Sequence, residues 1–241
     1  MKKPISQSGN ERRFNLLKRT AHEARNYRVR MKLLGILLAV LVSFTAVVYV
    51  AAALYEQSGS FTISINKYEM TKYGLSLSES RDMIRPTSNL NAKIAEKMTN
   101  ISGETIPENV NMIDGAHNGR DYIAYTFYVQ NAGEVAVSYD YEVNMSGTTN
   151  GLDEAIRLRM YIDDGEPVTY AKTKSDGTGA EPGTVEFHSA TVLTRGRVET
   201  FEPTEKTKFT VVVWIEGNDP DCLDWLIGGK MKLDMNISIV H

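Results

Sequence analysis

The stretch KFTVVVWIEG, residues 208–217, carries the pattern that decides the fold class. Its residues Phe209, Val211, Val213 and Ile215 fall on every second position. A period of two among β-branched and aromatic residues predicts a β-strand, whereas a helix would repeat every three to four residues. The same pattern recurs from residue 60 onward. Five further runs show it: 61–65, 122–129, 135–143, 156–162 and 231–239.

Turn-forming residues separate these runs. NAG at residues 131–133 suggests a tight hairpin, DDG at 163–165 closes one run, and GG at 228–229 precedes the last. Several short strands divided by turns predict an all-β fold, an antiparallel β-sandwich of immunoglobulin-like or jelly-roll type. We expect the main sandwich to span residues 119–241, and the strand at 61–67 to join the same sheet system.

Residues 55–118 are expected to hold that first strand followed by a loop-rich insertion. From residue 81 the segment mixes prolines with several asparagines. Leu90, Ile94 and Met98 recur at helical spacing, which predicts one short helix. A long connection inside a compact domain is either functional or disordered, and the sequence leaves both alternatives open.

Residues 33–54, LLGILLAVLVSFTAVVYVAAAL, form an uncharged stretch of 22 residues. A helix of that length reaches about 33 Å, enough for a hydrocarbon core of about 30 Å. Residues 1–32 before it hold ten Lys or Arg and two acidic residues, although the whole chain has a formal net charge of −3. Because basic flanks stay inside, we predict a basic cytoplasmic head at 1–32, a single-pass transmembrane helix at 33–54 and an extracytoplasmic C-terminal domain.

Two questions about this N-terminal region stay open in the sequence. AAA at residues 51–53 would suit signal-peptide cleavage, but the apolar run is longer than a signal needs, so we favour a retained signal-anchor. Residues 10–32 fit either a basic amphipathic helix on anionic lipid or a plain orientation signal. The membrane position already accounts for the positive charge, and no nucleic-acid partner is predicted.

The acidic loop EGNDPDCLD, residues 216–224, is the richest polar cluster. Glu216, Asp219 and Asp221 are candidate calcium ligands, because calcium takes six to eight oxygen atoms. The loop lacks the glycine and glutamate positions of the twelve-residue calcium motif. The favoured interpretation is structural: a capped loop followed by a helical turn from Pro220. No other cofactor is predicted.

No catalytic residue is predicted. Cys222 is the single cysteine, which excludes an internal disulfide, and nothing near it resembles a nucleophile motif. His117, His188 and His241 are too scattered to predict a zinc site. Two pairs of adjacent acids, 153–154 and 163–164, are interpreted as solvated. We expect the two tryptophans that flank the acidic loop, residues 214 and 225, to anchor the core beneath it, with a carbohydrate platform as the alternative.

Three stretches resemble a known group of proteins: YIAYTFYVQNAGEVAVSYDYEV, GLDEAIRLRMYIDDGEPVTYAK and FTVVVWIEGNDPDCLDWLIGGKMKLDMNISI. They are similar to exported β-sandwich proteins of Gram-positive bacteria, the group that includes camelysin and the TasA-type biofilm fibre subunits. The resemblance covers about residues 119–241, and the ending WIEGNDPDC…IGGKMKL is its most specific part. It implies an immunoglobulin-like or jelly-roll sandwich on the cell surface, sometimes polymerising.

The N-terminus departs from that group. The fibre subunits resemble one another in a short signal cleaved near a Tyr-Phe-Thr segment, whereas this chain has a long basic head and an anchor that runs into Leu54-Tyr55-Glu56. We therefore expect a tethered relative. The expected function is that of a non-enzymatic, membrane-anchored cell-surface protein with a structural, adhesive or fibre-assembly role, whose candidate partners are the membrane and related surface proteins or matrix fibre subunits. The alternatives are a cell-envelope hydrolase, such as a camelysin-like protease, and an envelope sensor or accessory subunit.

Overall fold

The computed structural model describes residues 8–57, 60–93 and 98–240. The chain divides into two compact units, Met1–Glu56 and Gln57–His241. The first unit contains one helix, α1 (Ser8–Gln57). Within it, Arg25–Val50 is long and apolar enough to span a membrane, with a mean hydropathy of 2.7 in its most apolar window and none of that window buried. The predicted N-terminal apolar helix is thus confirmed.

Local contacts explain how this helix tolerates polar residues. Ser43 Oγ donates to the Ala39 carbonyl at 2.9 Å, and Thr45 Oγ1 donates to the Val42 carbonyl at 2.9 Å. Both hydroxyls are therefore satisfied by their own helix. The basic head does not form a separate short helix, because α1 runs without a break from Ser8 through the apolar stretch. The amphipathic face proposed for it depends on side chains before Arg25, which lie outside the described ones.

The second unit is a two-sheet sandwich with one short helix, α2 (Lys67–Tyr73). Asn66 caps the start of α2 through its side chain, and Gly74 ends it with a φ of +76°. The strands are β1 (Ser60–Ile65), β2 (Leu75–Ser78), β3 (Asn89–Lys93), β4 (Gly115–Ala116), β5 (Tyr122–Asn131), β6 (Val137–Thr148), β7 (Ile156–Ile162), β8 (Val168–Ala171), β9 (Val185–Glu186), β10 (Val192–Phe201), β11 (Lys206–Ile215) and β12 (Met231–Ile239).

The five-stranded sheet has the order β10-β6-β12-β1-β3, and the seven-stranded sheet has the order β2-β5-β11-β7-β8-β9 with β4 also paired to β5. The predicted all-β sandwich after an N-terminal helix is confirmed. The pairing is not purely antiparallel, however, because β1 runs parallel to β12 and β8 runs parallel to β9. Both sheets are therefore mixed.

The turn at 131–133 does not form the predicted hairpin. Strand β5 belongs to the seven-stranded sheet and β6 to the five-stranded sheet, so the chain crosses between the sheets here. The fully buried Asn131 holds this crossing, donating from Nδ2 to the carbonyls of Val135 and Phe201, both at 2.8 Å, and accepting from the Gly133 amide at 3.0 Å. By contrast, the 163–165 turn does join the antiparallel pair β7 and β8.

The main core lies between the two sheets. Inward residues of β5 and β11 meet those of β6 and β10 there, with Phe127 stacked on Phe209 at a centroid distance of 5.4 Å and Tyr139 edge-on to Phe201 at 5.1 Å. Fully burying side chains of this size stabilises a fold by roughly 1.5–3 kcal/mol each. Strand β1 adds three more core residues, Phe61, Ile63 and Ile65.

Residues 98–118, the cover segment, pack on the outer face of the seven-stranded sheet. Its Ile106 and Val110 join Tyr161, Val212 and Trp214 in a second, smaller hydrophobic core. The segment thus covers a sheet face that would otherwise be exposed, and it contains two short 3-10 turns, Gly103–Thr105 and Val110–Met112.

The prediction of a short helix around residues 90–98 is wrong at its N-terminal end. Leu90 lies in β3 opposite Ile63, because Leu90 and the buried Ala92 alternate as strand residues do. Residues 94–97 lie outside the described ones, and Met98 packs against the main core. Residues 60–116 supply β1–β4 to both sheets, and residues 57–118 belong to the same compact unit as residues 119–241.

Candidate functional site

A cleft of about 390 Å³ opens on the outer face of the seven-stranded sheet, and we call it the β7–β11 cleft. Its floor comes from strands β7 and β11, with Thr169 of β8 beside them. Its walls come from the cover segment at 102–104, the β8–β9 loop at 181–184 and the β11–β12 loop at 218–219. The cleft is therefore assembled from parts of the chain that are distant in sequence.

Strand alternation puts two arginines on its floor. Arg157 and Arg159 share the outer face of β7, while Leu158 between them points into the main core. Arg157 pairs across the ladder with Trp214 of β11. The Arg159 guanidinium lies 4.9 Å from the centroid of the Trp214 ring, and its Nε donates to Thr169 Oγ1 at 3.1 Å.

Arg157 is buried, with an exposed fraction of 4%. Its Nη2 forms an ion pair with Asp219 Oδ2, and its Nη1 donates to the Ile156 carbonyl at 3.2 Å. The Asp219 side chain has no exposed surface at all. A buried pair of this kind needs both partners, because removing one leaves an uncompensated charge.

Glu216 does not belong with the other predicted calcium ligands. Its Oε2 accepts from Trp214 Nε1 at 2.9 Å and from the Gly103 amide at 3.0 Å, and its Oε1 accepts from the Asn218 amide at 3.1 Å. Glu216 therefore fastens the cover segment to the end of β11.

Glu181, and not Glu216, lies beside Asp219 and Asp221. One oxygen each from Glu181, Asp219 and Asp221 lies within 4.8 Å of the others, and we call these three residues the carboxylate cluster. Glu181 and Asp219 are buried and Asp221 is half-buried. Burial, and next the Asp219 carboxylate, raise the pKa of Glu181.

The favoured structural interpretation of the acidic loop is correct in one part and wrong in another. Asp219 Oδ1 accepts from the Asp221 amide at 2.8 Å, which is the expected side-chain cap of a turn. The helical turn begins at Asp224 and not at Pro220, since the 3-10 turn spans Asp224–Leu226.

The two tryptophans have opposite environments. Trp214 is 2% exposed and sits in the second core, as predicted. Trp225 is 62% exposed, and its neighbours Leu223 and Ile227 are exposed as well. The prediction that Trp225 anchors the core is therefore wrong. Its place on a short 3-10 turn outside the sheets points the ring away from the sandwich interior.

The remaining candidate groups make structural contacts. Cys222 Sγ accepts from Asn100 Nδ2 at 3.5 Å, and burial raises the pKa of its thiol. The two ring nitrogens of His117 lie 2.8 Å from the Gly115 carbonyl and 2.7 Å from the Val110 carbonyl. These contacts lie within the cover segment and fix the position of the His117 ring.

The two acid pairs are not simply solvated. Asp153 and Glu154 both contact Lys172 Nζ at 2.6 Å, and Asp153 is buried. Asp163 Oδ1 accepts from the Lys208 amide at 2.8 Å, whereas the Asp164 side chain is fully exposed. The first pair therefore joins the turn before β7 to the residue after β8.

No protein-family model matches the chain, and no curated protein matches it either. Among solved structures, a β-glucosidase from Kluyveromyces marxianus in complex with glucose is similar over 67% of this chain and 15% of its own length. The identity is 12% and the TM-score 0.21. A likeness of this strength carries no argument about fold or function.

Proposed function

We propose that the protein is a membrane-tethered, non-enzymatic module of the bacterial cell envelope, which holds its β-sandwich on the outer face of the membrane in a structural, adhesive or matrix-assembly role. The observation that carries the proposal is the apolar stretch of α1. It is unburied along Arg25–Val50 and is followed within ten residues of sequence by the first strand of the sandwich. A helix with an apolar surface on all sides is stable in a bilayer and not in water.

Charge supports the orientation. Arg25, Arg28, Arg30 and Lys32 are exposed on the N-terminal side of the uncharged stretch 33–54, and the first charge after that stretch is Glu56. Basic residues near the ends of a span remain on the cytoplasmic side. The sandwich would then lie outside the cell, where related surface proteins or matrix fibre subunits are its candidate partners.

Side-chain contacts support a non-enzymatic role. A catalytic thiol is more acidic than an ordinary one, but the pKa of the Cys222 thiol is shifted upward. His117 contacts two backbone carbonyls, and the Asp153–Glu154 pair is held by Lys172. Each of these groups holds the fold together at its position.

The orientation is tested by adding protease to intact cells that express the full chain with a C-terminal tag. We expect the tag to disappear and a membrane-bound N-terminal fragment of a few kilodaltons to remain. A cytoplasmic protein should stay intact in the same cells as a control for leakage. A tag that survives in intact cells and is digested only after lysis would contradict the proposal.

The absence of catalysis is tested with the purified full chain and protein substrates, with and without divalent metals. We expect no cleavage above that of a buffer control. Cleavage that disappears in Cys222→Ser or Asp219→Asn, with the fold intact by circular dichroism, would support the alternative of an envelope hydrolase.

A further inference from the structure

The β8–β9 loop reaches over the sheet edge and brings Glu181 to the β7–β11 cleft. Residues 172–184 connect β8 to β9, with turns in which the Lys174 amide donates to the Gly179 carbonyl at 3.0 Å and the Thr184 amide donates to the Glu181 carbonyl at 3.1 Å. Glu181 is 7% exposed and lines the cleft. A loop with a polar tip seldom buries a carboxylate without a compensating contact.

Among the described residues, no donor forms a hydrogen bond with the Glu181 carboxylate and no cationic group lies within ion-pair distance of it. Its close neighbours are the carboxylates of Asp219 and Asp221. A largely buried carboxylate that faces two other carboxylates is a group that a bound cation would stabilise.

The charge count defines what kind of cation would fit. Three carboxylates and the single guanidinium paired to Asp219 sum to −3 + 1 = −2. Because Arg157 already neutralises Asp219, the two remaining charges reside on Glu181 and Asp221. One divalent cation would balance them.

The ligand atoms favour calcium among divalent cations. All three are carboxylate oxygens, which suit hard cations, whereas zinc prefers nitrogen and sulfur. Their mutual separation of at most 4.8 Å is spanned by two Ca–O bonds of about 2.4 Å each. Magnesium demands a stricter octahedron at about 2.0–2.1 Å and gives up its bound water reluctantly, so a set of protein carboxylates suits calcium better.

We propose that Glu181, Asp219 and Asp221 bind one calcium ion, which clips the β8–β9 loop to the β11–β12 loop across the mouth of the β7–β11 cleft. The site differs from the one expected from the acidic loop alone by the exchange of Glu216 for Glu181. It rests on the geometry of the sandwich and is independent of the proposed orientation in the membrane. The clip would also control access to the cleft, since residues 181–184 form one of its walls.

The first test measures the melting temperature of the full chain in detergent micelles, in about 5 mM CaCl₂ and in EDTA. For dissociation constants of about 10⁻⁴–10⁻³ M, as in extracellular calcium modules, the rise in calcium should be roughly 2–9 °C. The same concentration of MgCl₂ should produce a much smaller rise. An equal rise with magnesium would overturn the assignment to calcium, and no rise with either ion would overturn the site.

Matched variants connect the effect to these residues. Glu181→Gln and Asp221→Asn should each lose most of the calcium-dependent rise, whereas Asp164→Asn, which removes a fully exposed acid, should keep it. In EDTA, Glu181→Gln should melt at or above the temperature of the unmodified chain, because it removes one of three neighbouring negative charges that repel one another. If both site variants keep the full rise, the proposal is wrong.

Limited proteolysis provides a second readout that does not depend on global unfolding. Lys174 lies in the β8–β9 loop and is a trypsin site. Calcium should slow cleavage there at least about threefold, because binding lowers the population of the open loop. The protection should vanish in Asp221→Asn, whose half-buried side chain can be changed with little risk to folding. Cleavage at an equal rate with and without calcium would contradict the clip.

Discussion

Trp214 is held by contacts on several sides. Its Nε1 donates to Glu216, and the Arg159 guanidinium lies over its ring. A Cβ added at Gly103 would lie 2.7 Å from its Cζ2 atom, so the backbone of the cover segment packs directly against the indole. Trp225, beyond the same loop, has most of its surface in solvent.

These environments predict opposite effects of the same substitution. Trp214→Ala should lower the free energy of unfolding by about 3–5 kcal/mol, since it removes a large buried side chain. Trp225→Ala should change it by no more than about 0.5 kcal/mol, as is usual for exposed positions. Urea denaturation of the two variants measures both values. Equal losses in the two variants would contradict the placement of Trp214 in the second core.

At the residue scale, the sequence predicts the candidate site in part. Asp219 and Asp221 were identified because they are neighbours in one loop. Glu181 was missed because only the tertiary fold brings the β8–β9 loop to that place, and no spacing rule encodes such a contact. The role of Glu216 could have been found: residues two apart in a strand share a face, which places Glu216 beside Trp214 and toward the cover segment.

At the element scale, the cover segment is attached mainly at its ends. Ile101 pairs with the end of β11, where its amide donates to the Ile215 carbonyl at 2.9 Å, and Glu216 accepts from Gly103. The other end is held by β4, which pairs with β5, and by the His117 amide, which donates to the Ala124 carbonyl at 3.0 Å. An element that carries few core residues and is held at its ends opens more readily than the sheets beneath it.

Removing the hydrogen bonds that Glu216 accepts from Trp214 and Gly103 should therefore loosen the cover segment selectively. In Glu216→Ala, donors of Trp214 and Gly103 lose their acceptor, at a cost of about 1–3 kcal/mol. Amide hydrogen exchange within residues 101–117 should speed up by about 5- to 150-fold, while protection in β5 and β11 changes little. Glu166→Ala, at an exposed position in the β7–β8 turn, is the control. Uniform acceleration throughout the sandwich would show that the segment does not open separately.

The predicted and missed strands differ in physical character. Long strands such as β5 and β11 were predicted correctly, because most of their residues are buried and their sequences are rich in apolar and β-branched residues. Strand β10 was missed since register shifts on both sides of its central part interrupt the alternation of its core residues Leu193 and Phe201. Strand β3 was missed because Leu90 also fits a four-residue spacing with Ile94 and Met98.

At the scale of the whole molecule, the sandwich requires its N-terminal strands. Strand β1 is flanked by β12 and β3, and β2 and β4 both pair with β5. A fragment that begins at residue 119 would lose Phe61, Ile63 and Leu77 from the main core and expose the side of β12 that β1 covers. The unit Gln57–His241 retains all of these contacts.

We therefore expect residues 57–241 to fold without α1 and residues 119–241 not to fold. The larger fragment should unfold in urea in a single cooperative transition with a stability in the usual range of about 5–15 kcal/mol. The shorter fragment should show no such transition by tryptophan fluorescence. A cooperative transition for residues 119–241 would mean that the first four strands are additions to a core that is already complete.

The parallel pairing of β1 with β12 also determines when the five-stranded sheet can be completed during synthesis. Synthesis delivers β1 as the first strand and β12 as the last, and their contact between Ser64 and Asn236 joins residues 172 positions apart. Until synthesis has passed residue 239, β1 has an unpaired edge on the side that β12 will occupy. Closing so long a stretch of chain is slow, and waiting strand edges are prone to pair with other chains. In a nascent chain, β1 is therefore the strand that needs protection by chaperones for the longest time. When several chains are synthesised close together on one messenger RNA, β1 is the strand most prone to pair with a neighbouring copy.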